Sequence, residues 1–264
     1  FTERQLLLME DMGTTAFTST PSYALHLSEI VESRGLRDRL RLRLAILGGE
    51  AWTPEMGEVI ERRLGVTAVN SYGLSEIMGP GVAMECPHKT GMHFNESCFF
   101  MEILGEDDAP VPDGEWGELA ITTLAKEAFP LIRYRTRDLA SLTDGPCACG
   151  RAGKRLARVT GRNDDMLIIR GVNVFPSQVE AALAKIGGLS LNYCLEVAER
   201  EGMKELSVIC ESERLLDDDG TEALRADAAR KLHEALAIRV GVRILRPETL
   251  ERSSGKAVRV VKVA

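Results

Sequence analysis

The spacing of apolar positions in the first part of the chain alternates between a helical pattern and short apolar runs. Helical spacing of three and four residues occurs in three segments, at 4–12, 22–34 and 54–64. Between them, the apolar runs Leu42–Leu47 and Val66–Asn70 predict buried strands, and the β-branched segment Thr15–Thr20 predicts a strand end. This alternation predicts βα units with a mostly parallel sheet, in which ligands bind at the carboxyl ends of the strands.

The pattern changes after residue 96. Three segments with turn signals between them predict a β-rich subdomain: Phe99–Leu104, Gly117–Thr123 and Asp138–Thr143. After residue 163 the pattern predicts a compact α+β unit with a small ferredoxin-like sheet. Helices are expected at Pro176–Ile186 and Thr221–Ala237. Strands are expected at Asn192–Ala198, Glu205–Glu211 and Val242–Leu245. The predicted fold class is therefore α/β plus α+β, with domains at 1–163 and 164–264.

Composition excludes several functional classes. The net charge of −7 argues against nucleic acid as a partner, and no apolar run approaches the roughly 20 residues that cross a membrane. Six cysteines without a secretion signal predict thiols or metal ligands in a reducing compartment, so we expect a cytoplasmic protein.

Residues 161–180 carry the most informative pattern of the chain. A polar turn at 162–165 leads into the apolar run 166–169, Arg170-Gly171 interrupts that run, and Pro176-Ser177 opens a helix. A polar linker of this kind can carry one domain over a site on another. The segment resembles the hinge motif of the AMP-forming acyl-CoA ligases of the adenylate-forming superfamily. Its sequence is most similar to that of the phenylacetate–CoA ligase branch.

Three further segments resemble nucleotide-binding motifs of that family. By this resemblance, Ser71-Tyr72-Gly73-Leu74-Ser75-Glu76 places Tyr72 beside adenine, Ser75 near phosphate and Glu76 at Mg²⁺. Hydroxyls and backbone amides suit phosphate oxygens, and a carboxylate suits Mg²⁺. Gly48-Gly49-Glu50 resembles the segment that borders the adenine and acyl pockets, and Arg133–Asp138 resembles the motif whose final aspartate, here Asp138, binds the ribose.

The resemblance also assigns roles around the hinge and near the end of the chain. Arg162 is implied near the ribose or phosphates, Asp164 as the hinge, and Gly171 in the channel for the thiol acceptor. Ser253-Ser254-Gly255-Lys256 resembles the motif of the adenylation lysine, which makes Lys256 the candidate, with Lys262 as the alternative. An ammonium ion there can neutralise charge that develops between a carboxylate and the α-phosphate of ATP.

A metal site is a separate prediction. Cys147 and Cys149 lie on one turn, and Cys86 and His93 lie upstream, a set that suits tetrahedral Zn²⁺. His88 is the alternative to His93, and free thiols are the alternative to a metal. Cys98, Cys194 and Cys210 are expected to be buried free cysteines.

The resemblance implies an ATP-dependent aryl-acid–CoA ligase that uses ATP, CoA and Mg²⁺ and that forms an acyl-adenylate, with a homodimer as a further possibility. The family's glycine-rich phosphate loop is not found in these 264 residues, so we expect that this stretch alone does not complete catalysis. Two alternatives stay open: an adenylate-former with another acid or acceptor, such as the F390 synthetases, and a zinc-stabilised nucleotide-binding module without turnover.

Overall fold

The structure is a computed structural model that describes residues 2–200, 203–252 and 256–263. Its internal contacts divide the chain into two compact units. The first comprises residues 1–51 and 57–164, and the second comprises residues 52–56 and 165–264. Within the described ranges, no helix is both long and apolar enough to cross a membrane.

The first unit contains two helices, most of a third and a seven-stranded sheet. The helices are α1 (Thr2–Asp11), α2 (Pro21–Ser33) and α3 (Pro54–Leu64), which confirms the three predicted helical segments. The strands of this sheet are β1 (Ala16–Ser19), β2 (Leu44–Gly48), β3 (Thr67–Leu74), β4 (Met78–Glu85), β5 (Met92–Phe94), β9 (Leu142–Thr143) and β10 (Arg155–Leu156). Their order is β1-β2-β3-β4-β5-β10-β9. Only β1, β2 and β3 run parallel, so the sheet is mixed and the expectation of a mostly parallel sheet was wrong beyond β3.

A second, antiparallel sheet completes the first unit. It consists of β6 (Phe99–Leu104), β7 (Gly117–Thr123), β8 (Tyr134–Ala140) and β11 (Gly161–Arg162), in the order β11-β8-β7-β6. The predicted strand Asp138–Thr143 is two strands, because the chain leaves this sheet at the buried Ser141 and continues in the seven-stranded sheet as β9. Buried side chains of both sheets share one core, which includes Met92, Leu119, Ile121 and Leu156. Burial of such side chains from both sheets is the main force that holds the sheets together.

The second unit begins with a hairpin and ends with a strand at the edge of a sheet. Its elements are β12 (Leu167–Ile169), β13 (Val172–Val174), α4 (Pro176–Leu183), β14 (Leu189–Arg200), β15 (Met203–Ser212), α5 (Asp218–Leu236), β16 (Gly241–Leu245) and β17 (Val260–Val263). The four-stranded sheet has the order β16-β15-β14-β17, and both helices contribute to its core through Val179, Leu183 and Leu232. The helix α5 begins three residues earlier than predicted, because the Asp217 carboxylate caps it by accepting a hydrogen bond from the Gly220 amide at 2.8 Å.

Close contact between β2 and β3 depends on Gly48. Gly48 is paired with Ser71 across the two parallel strands. A Cβ atom added to Gly48 would lie 2.2 Å from the backbone oxygen of Ser71. The strands can therefore keep this spacing only with glycine at position 48.

We expect Gly48→Ala to force β2 and β3 apart and to lower the free energy of unfolding by about 1–3 kcal/mol, as overpacking in a core does. Urea unfolding measures the change. The matched control is Gly187→Ala, because a Cβ there would meet nothing within 4 Å. Equal losses of stability in the two variants would contradict the steric explanation.

Candidate functional site

The ends of β2 and β3 bring two of the predicted motifs side by side. Ser71 lies opposite Gly48, and β3 continues through Tyr72 and Gly73 to Leu74. The sequence predicted a strand that ends at Asn70. The strand is longer because its second half pairs with β4, through Ser71 with Met84 and through Tyr72 with Ala83. Ser75 and Glu76 follow in an exposed turn at the strand end.

The glycine pair leads into a carboxylate that contacts the start of α2. Gly49 has a φ of 88°, a left-handed conformation that glycine adopts without strain. This turn directs Glu50 so that its Oε1 accepts a hydrogen bond from the Ser22 amide at 2.8 Å. Ser71 is paired with Gly48, and its buried hydroxyl has no hydrogen-bond partner among the described residues. A buried unpaired hydroxyl beside the end of β2 is suited to a bound ligand.

Tyr72 and Asp138 are 66 positions apart in sequence and form a direct hydrogen bond. The Tyr72 hydroxyl donates to Asp138 Oδ2 at 2.5 Å. Asp138 is buried, and its burial raises the pKa of the carboxyl above its ordinary value, while the hydrogen bond from Tyr72 and the charge of Arg162 oppose that rise. Burial also raises the pKa of Tyr72, and the negative charge of Asp138 adds to this effect. At neutral pH Tyr72 therefore stays a hydrogen-bond donor.

Arg162 lies between two carboxylates. It is paired with Asp138 in register between β11 and β8, with Nη1 3.7 Å from Asp138 Oδ1. Its Nε and Nη2 donate to the two oxygens of Asp164 at 2.8 and 2.9 Å. These hydrogen bonds hold the pKa of Asp164 below its ordinary value. The structure thus places together Tyr72, Asp138, Arg162 and Asp164, which sequence motifs had selected separately.

The four predicted zinc ligands also come together. Cys86, His93, Cys147 and Cys149 each place a ligand atom within 4.8 Å of the others. The sulfur atoms of Cys86 and Cys147 are 3.7 Å apart, and Cys149 Sγ is 3.4 Å from His93 Nε2. A disulfide needs about 2 Å, whereas two thiolates on one tetrahedral Zn²⁺ are separated by about 3.8 Å. The hydrogen bond from the Cys149 amide and that from the Thr90 hydroxyl lower the pKa of Cys147 to about 5.

The remaining cysteines differ partly from the prediction. Cys98, Cys194 and Cys210 are free thiols. Only Cys210 of these three is fully buried; Cys98 lies in the turn before β6 and Cys194 lies on β14, and both are partly exposed. Burial raises the pKa of Cys210 to about 12, which keeps it a protonated thiol at neutral pH.

Gly171 and Lys256 lie in the second unit. Arg170 and Gly171 have φ values of 50° and 81° and form the two-residue turn of the β12–β13 hairpin. Both positions require a left-handed backbone, so this turn is a local reason for glycine at 171. Lys256 is exposed, and Lys262 is exposed on β17. Residues 253–255, which complete the motif before Lys256, lie outside the described residues.

Sequence reasoning missed several buried acidic residues near these sites. Glu85 accepts hydrogen bonds from the Asn70 amide and from Arg158, and Glu118 accepts hydrogen bonds from Arg135. Each glutamate lies within or at the end of a strand whose neighbouring residues are mainly apolar. An acidic residue among apolar strand positions is the signal that could have identified them.

Comparison with known proteins agrees with this geometry. The family model described as AMP-binding enzyme matches residues 1–124, and the AMP-binding enzyme C-terminal domain matches residues 171–263. The chain therefore belongs to the adenylate-forming family of AMP-binding enzymes. It is similar to the phenylacetate-coenzyme A ligases of Escherichia coli K12, at 45% identity, and Pseudomonas putida, at 42% identity, over 98% of this chain in both cases. The chain spans 60% of the length of each of these relatives.

Solved structures show the same fold. A 2-hydroxyisobutyryl-CoA ligase in the postadenylation state matches 99% of this chain with a TM-score of 0.92 and 26% identity, and this chain covers 57% of that one. A benzoate CoA ligase from Burkholderia xenovorans matches 98% of this chain with a TM-score of 0.70 and 19% identity, and this chain covers 53% of it. These matches confirm the predicted fold class.

We expect Asp138→Asn to make the protein more stable at neutral pH and to lose that advantage in acid. The folded state raises the pKa of Asp138, so its contribution to stability is present below the unfolded pKa of about 4 and is lost as the pH rises through the folded pKa. Thermal unfolding across a pH series, with the exposed Asp38→Asn as control, measures the effect. A stability difference for Asp138→Asn that grows as the pH falls would contradict this assignment.

Proposed function

We propose that the protein carrying this chain is an ATP-dependent, AMP-forming aryl-acid–CoA ligase that acts on phenylacetate through an acyl-adenylate. The observation that supports this most is the Tyr72–Asp138–Arg162 constellation on β3, β8 and β11, in a chain 40–45% identical to phenylacetate-coenzyme A ligases. CoA ligases of this kind use ATP, CoA and Mg²⁺.

The nucleotide is proposed to bind at the ends of β2, β3 and β8. Asp138 accepts hydrogen bonds from the ribose hydroxyls, and Tyr72 packs beside adenine while its hydroxyl holds the Asp138 carboxylate. Gly49 and Glu50 border the adenine and acyl pockets, and Ser71, Gly73 and Ser75 lie along the phosphates. The exposed Glu76 carboxylate is an oxygen ligand that suits Mg²⁺ together with substrate phosphates.

The first step is proposed to join the acid to AMP. A carboxylate oxygen of phenylacetate attacks the α-phosphorus of ATP, the bond to the β-phosphate oxygen breaks, and pyrophosphate leaves. Negative charge builds on the oxygens around the α-phosphorus as this happens. Lys256 is proposed to neutralise that charge with its ammonium group. No covalent bond to the protein is needed.

The second step is proposed to require a rotation of residues 164–264 about Asp164. The rotation withdraws Lys256, and the thiol of CoA, which reaches the site past Gly171, attacks the acyl carbon and releases AMP. The ion pair between Arg162 and Asp164 suits a hinge. Both side chains are nearly half exposed, at 44% and 46%, and such pairs contribute about 1 kcal/mol or less, so the hinge can break the pair readily.

We expect Lys256→Ala to reduce phenylacetate-dependent ATP–pyrophosphate exchange on the order of 10²–10³-fold, the usual effect of removing one group that stabilises transition-state charge. Synthetic phenylacetyl-adenylate and CoA test the second step alone. That step should stay close to the unaltered rate, because Lys256 acts only in the first. Both assays use the full protein that carries these 264 residues.

Lys262→Ala is the matched control, since it removes a second exposed lysine six positions away. Exchange that survives in Lys256→Ala and disappears in Lys262→Ala would assign the role to Lys262. If none of the aryl acids tested supports exchange, the ligase proposal is contradicted. A stable nucleotidyl product in place of a thioester would instead indicate a different acceptor.

We also propose that Cys86, His93, Cys147 and Cys149 hold one structural Zn²⁺. Three thiolates and one imidazole complete a tetrahedral set, which leaves no position for a substrate. The low pKa of Cys147 favours the thiolate form that binds metal. The ion would join β5 to the turn at 147–150 that lies between β9 and β10. It would thus stabilise the fold rather than take part in either chemical step.

We expect the purified protein to contain about one Zn²⁺ per chain and Cys149→Ser to lose most of it, because a structural site needs all four ligands. Elemental analysis by mass spectrometry measures the metal, and thermal unfolding measures the accompanying loss of stability. Cys98→Ser is the matched control, since Cys98 is a partly exposed free thiol outside the cluster. Equal zinc content in the two variants would contradict the site.

A further inference from the structure

Glu118 is a buried carboxylate on β7 that contacts two other segments of the chain, β8 and the turn at Asn163. Its side chain is only 8% exposed. Arg135 donates to it through Nε at 3.1 Å and Nη2 at 2.6 Å, the Arg137 amide donates at 3.2 Å, and Asn163 Nδ2 donates at 3.3 Å. The fork-like contact with Arg135 keeps the pKa of Glu118 below its ordinary value, so the carboxylate is charged at neutral pH.

The contact with Arg137 lies at an irregularity of the sheet. Glu118 is opposite Leu139 and Ala120 is opposite Arg135, so an interval of two residues in β7 faces an interval of four in β8. The extra residues of β8 form a bulge. Its centre is Arg137, a residue other than glycine with a φ of 65°. This left-handed conformation is unfavourable for arginine and persists only where neighbouring contacts hold it.

The bulge lies next to the carboxylate of the candidate nucleotide site. Asp138 follows Arg137 directly, and its carboxylate receives the hydrogen bond from Tyr72. If Arg137 relaxed to an ordinary extended conformation, the following side chain would change direction, because successive residues of a strand point to opposite faces. The Glu118 oxygen that accepts from the Arg137 amide therefore influences the candidate nucleotide site only through the backbone of Arg137.

We infer that Glu118 is a positioning residue for ribose recognition: by holding the Arg137 amide in the β8 bulge, it fixes the direction of the Asp138 carboxylate. The inference rests on the proposed nucleotide site, in which Asp138 binds the ribose hydroxyls. Glu118 itself does not touch the nucleotide. Its effect on binding therefore depends on the 2′-hydroxyl that Asp138 is proposed to contact.

The test measures binding of ATP and 2′-deoxy-ATP by calorimetry, without catalysis. Unaltered protein should prefer ATP on the order of 10–100-fold, the usual contribution of a hydrogen bond to a charged group. In Glu118→Ala this preference should fall to within about threefold of unity, because only the nucleotide with the 2′-hydroxyl loses a contact. A purely structural defect would weaken both nucleotides equally and leave their ratio unchanged.

A second variant separates backbone positioning from general damage. Glycine adopts a left-handed backbone without strain, so Arg137→Gly in the Glu118→Ala background should restore the preference for ATP. The matched control is Glu102→Ala, which removes a glutamate of the same sheet that pairs with Arg133. This control should keep the unaltered preference.

Three results would overturn the inference: no preference for ATP in the unaltered protein, an unchanged preference in Glu118→Ala, or a lost preference that Arg137→Gly does not restore. Failure of the ligase proposal would look different. In that case the nucleotide preferences would change as described, while pyrophosphate exchange would be absent with every aryl acid.

Discussion

The hydrogen bond from the Tyr72 hydroxyl to the Asp138 carboxylate is the interaction on which the candidate nucleotide site depends. It joins β3 of the seven-stranded sheet to β8 of the antiparallel sheet of the first unit, so it fixes the two halves of the candidate site relative to each other. Removing a carboxylate from water is costly unless donors replace the water, and here the phenol offsets part of that cost. The close contact of Gly48 with Ser71 sets the position of β3, and the bulge at Arg137 sets that of β8. The site therefore needs both sheets to be built correctly before any ligand binds.

Three buried glutamates follow one pattern around these sites. Glu85, Glu118 and Glu211 each accept hydrogen bonds from an arginine side chain and from a distant backbone amide. An unpaired carboxylate in such a position would cost several kcal/mol, and the cluster of donors offsets that cost. Each glutamate contacts or precedes a segment that carries a candidate site residue: Glu85 precedes Cys86, Glu118 holds the bulge before Asp138, and Glu211 holds Leu250 and Arg252, a few positions before Lys256. Hydrogen bonds to buried glutamates thus hold these segments in place, in addition to apolar packing.

The sequence predicted the helices of both units closely, because their apolar residues repeat at three and four positions, although α4 ends at Leu183, three residues before its predicted end. It also selected, one motif at a time, the residues of the candidate nucleotide site, since short stretches of sequence carry the resemblance to the family. It could not predict the mixed sheet, the split of 138–143 between two sheets, or the edge strand β17. Those features depend on pairing between segments far apart in the chain. Short strands such as Val260–Val263 have an exposed pattern that carries no signal without their partner, here β14.

The position of Arg162 links the proposed nucleotide site to the proposed hinge through one charge. Its short hydrogen bonds go to Asp164, while Asp138 lies at 3.7 Å, so in this structure the guanidinium favours the hinge carboxylate. The shifted pKa values point the same way, since that of Asp164 is lowered and that of Asp138 is raised. A guanidinium has a fixed fork of donors, and moving it toward one carboxylate lengthens its bonds to the other. Any movement of Arg162 toward a nucleotide at the proposed site would therefore lengthen its hydrogen bonds to Asp164, where the polar linker between the two units begins.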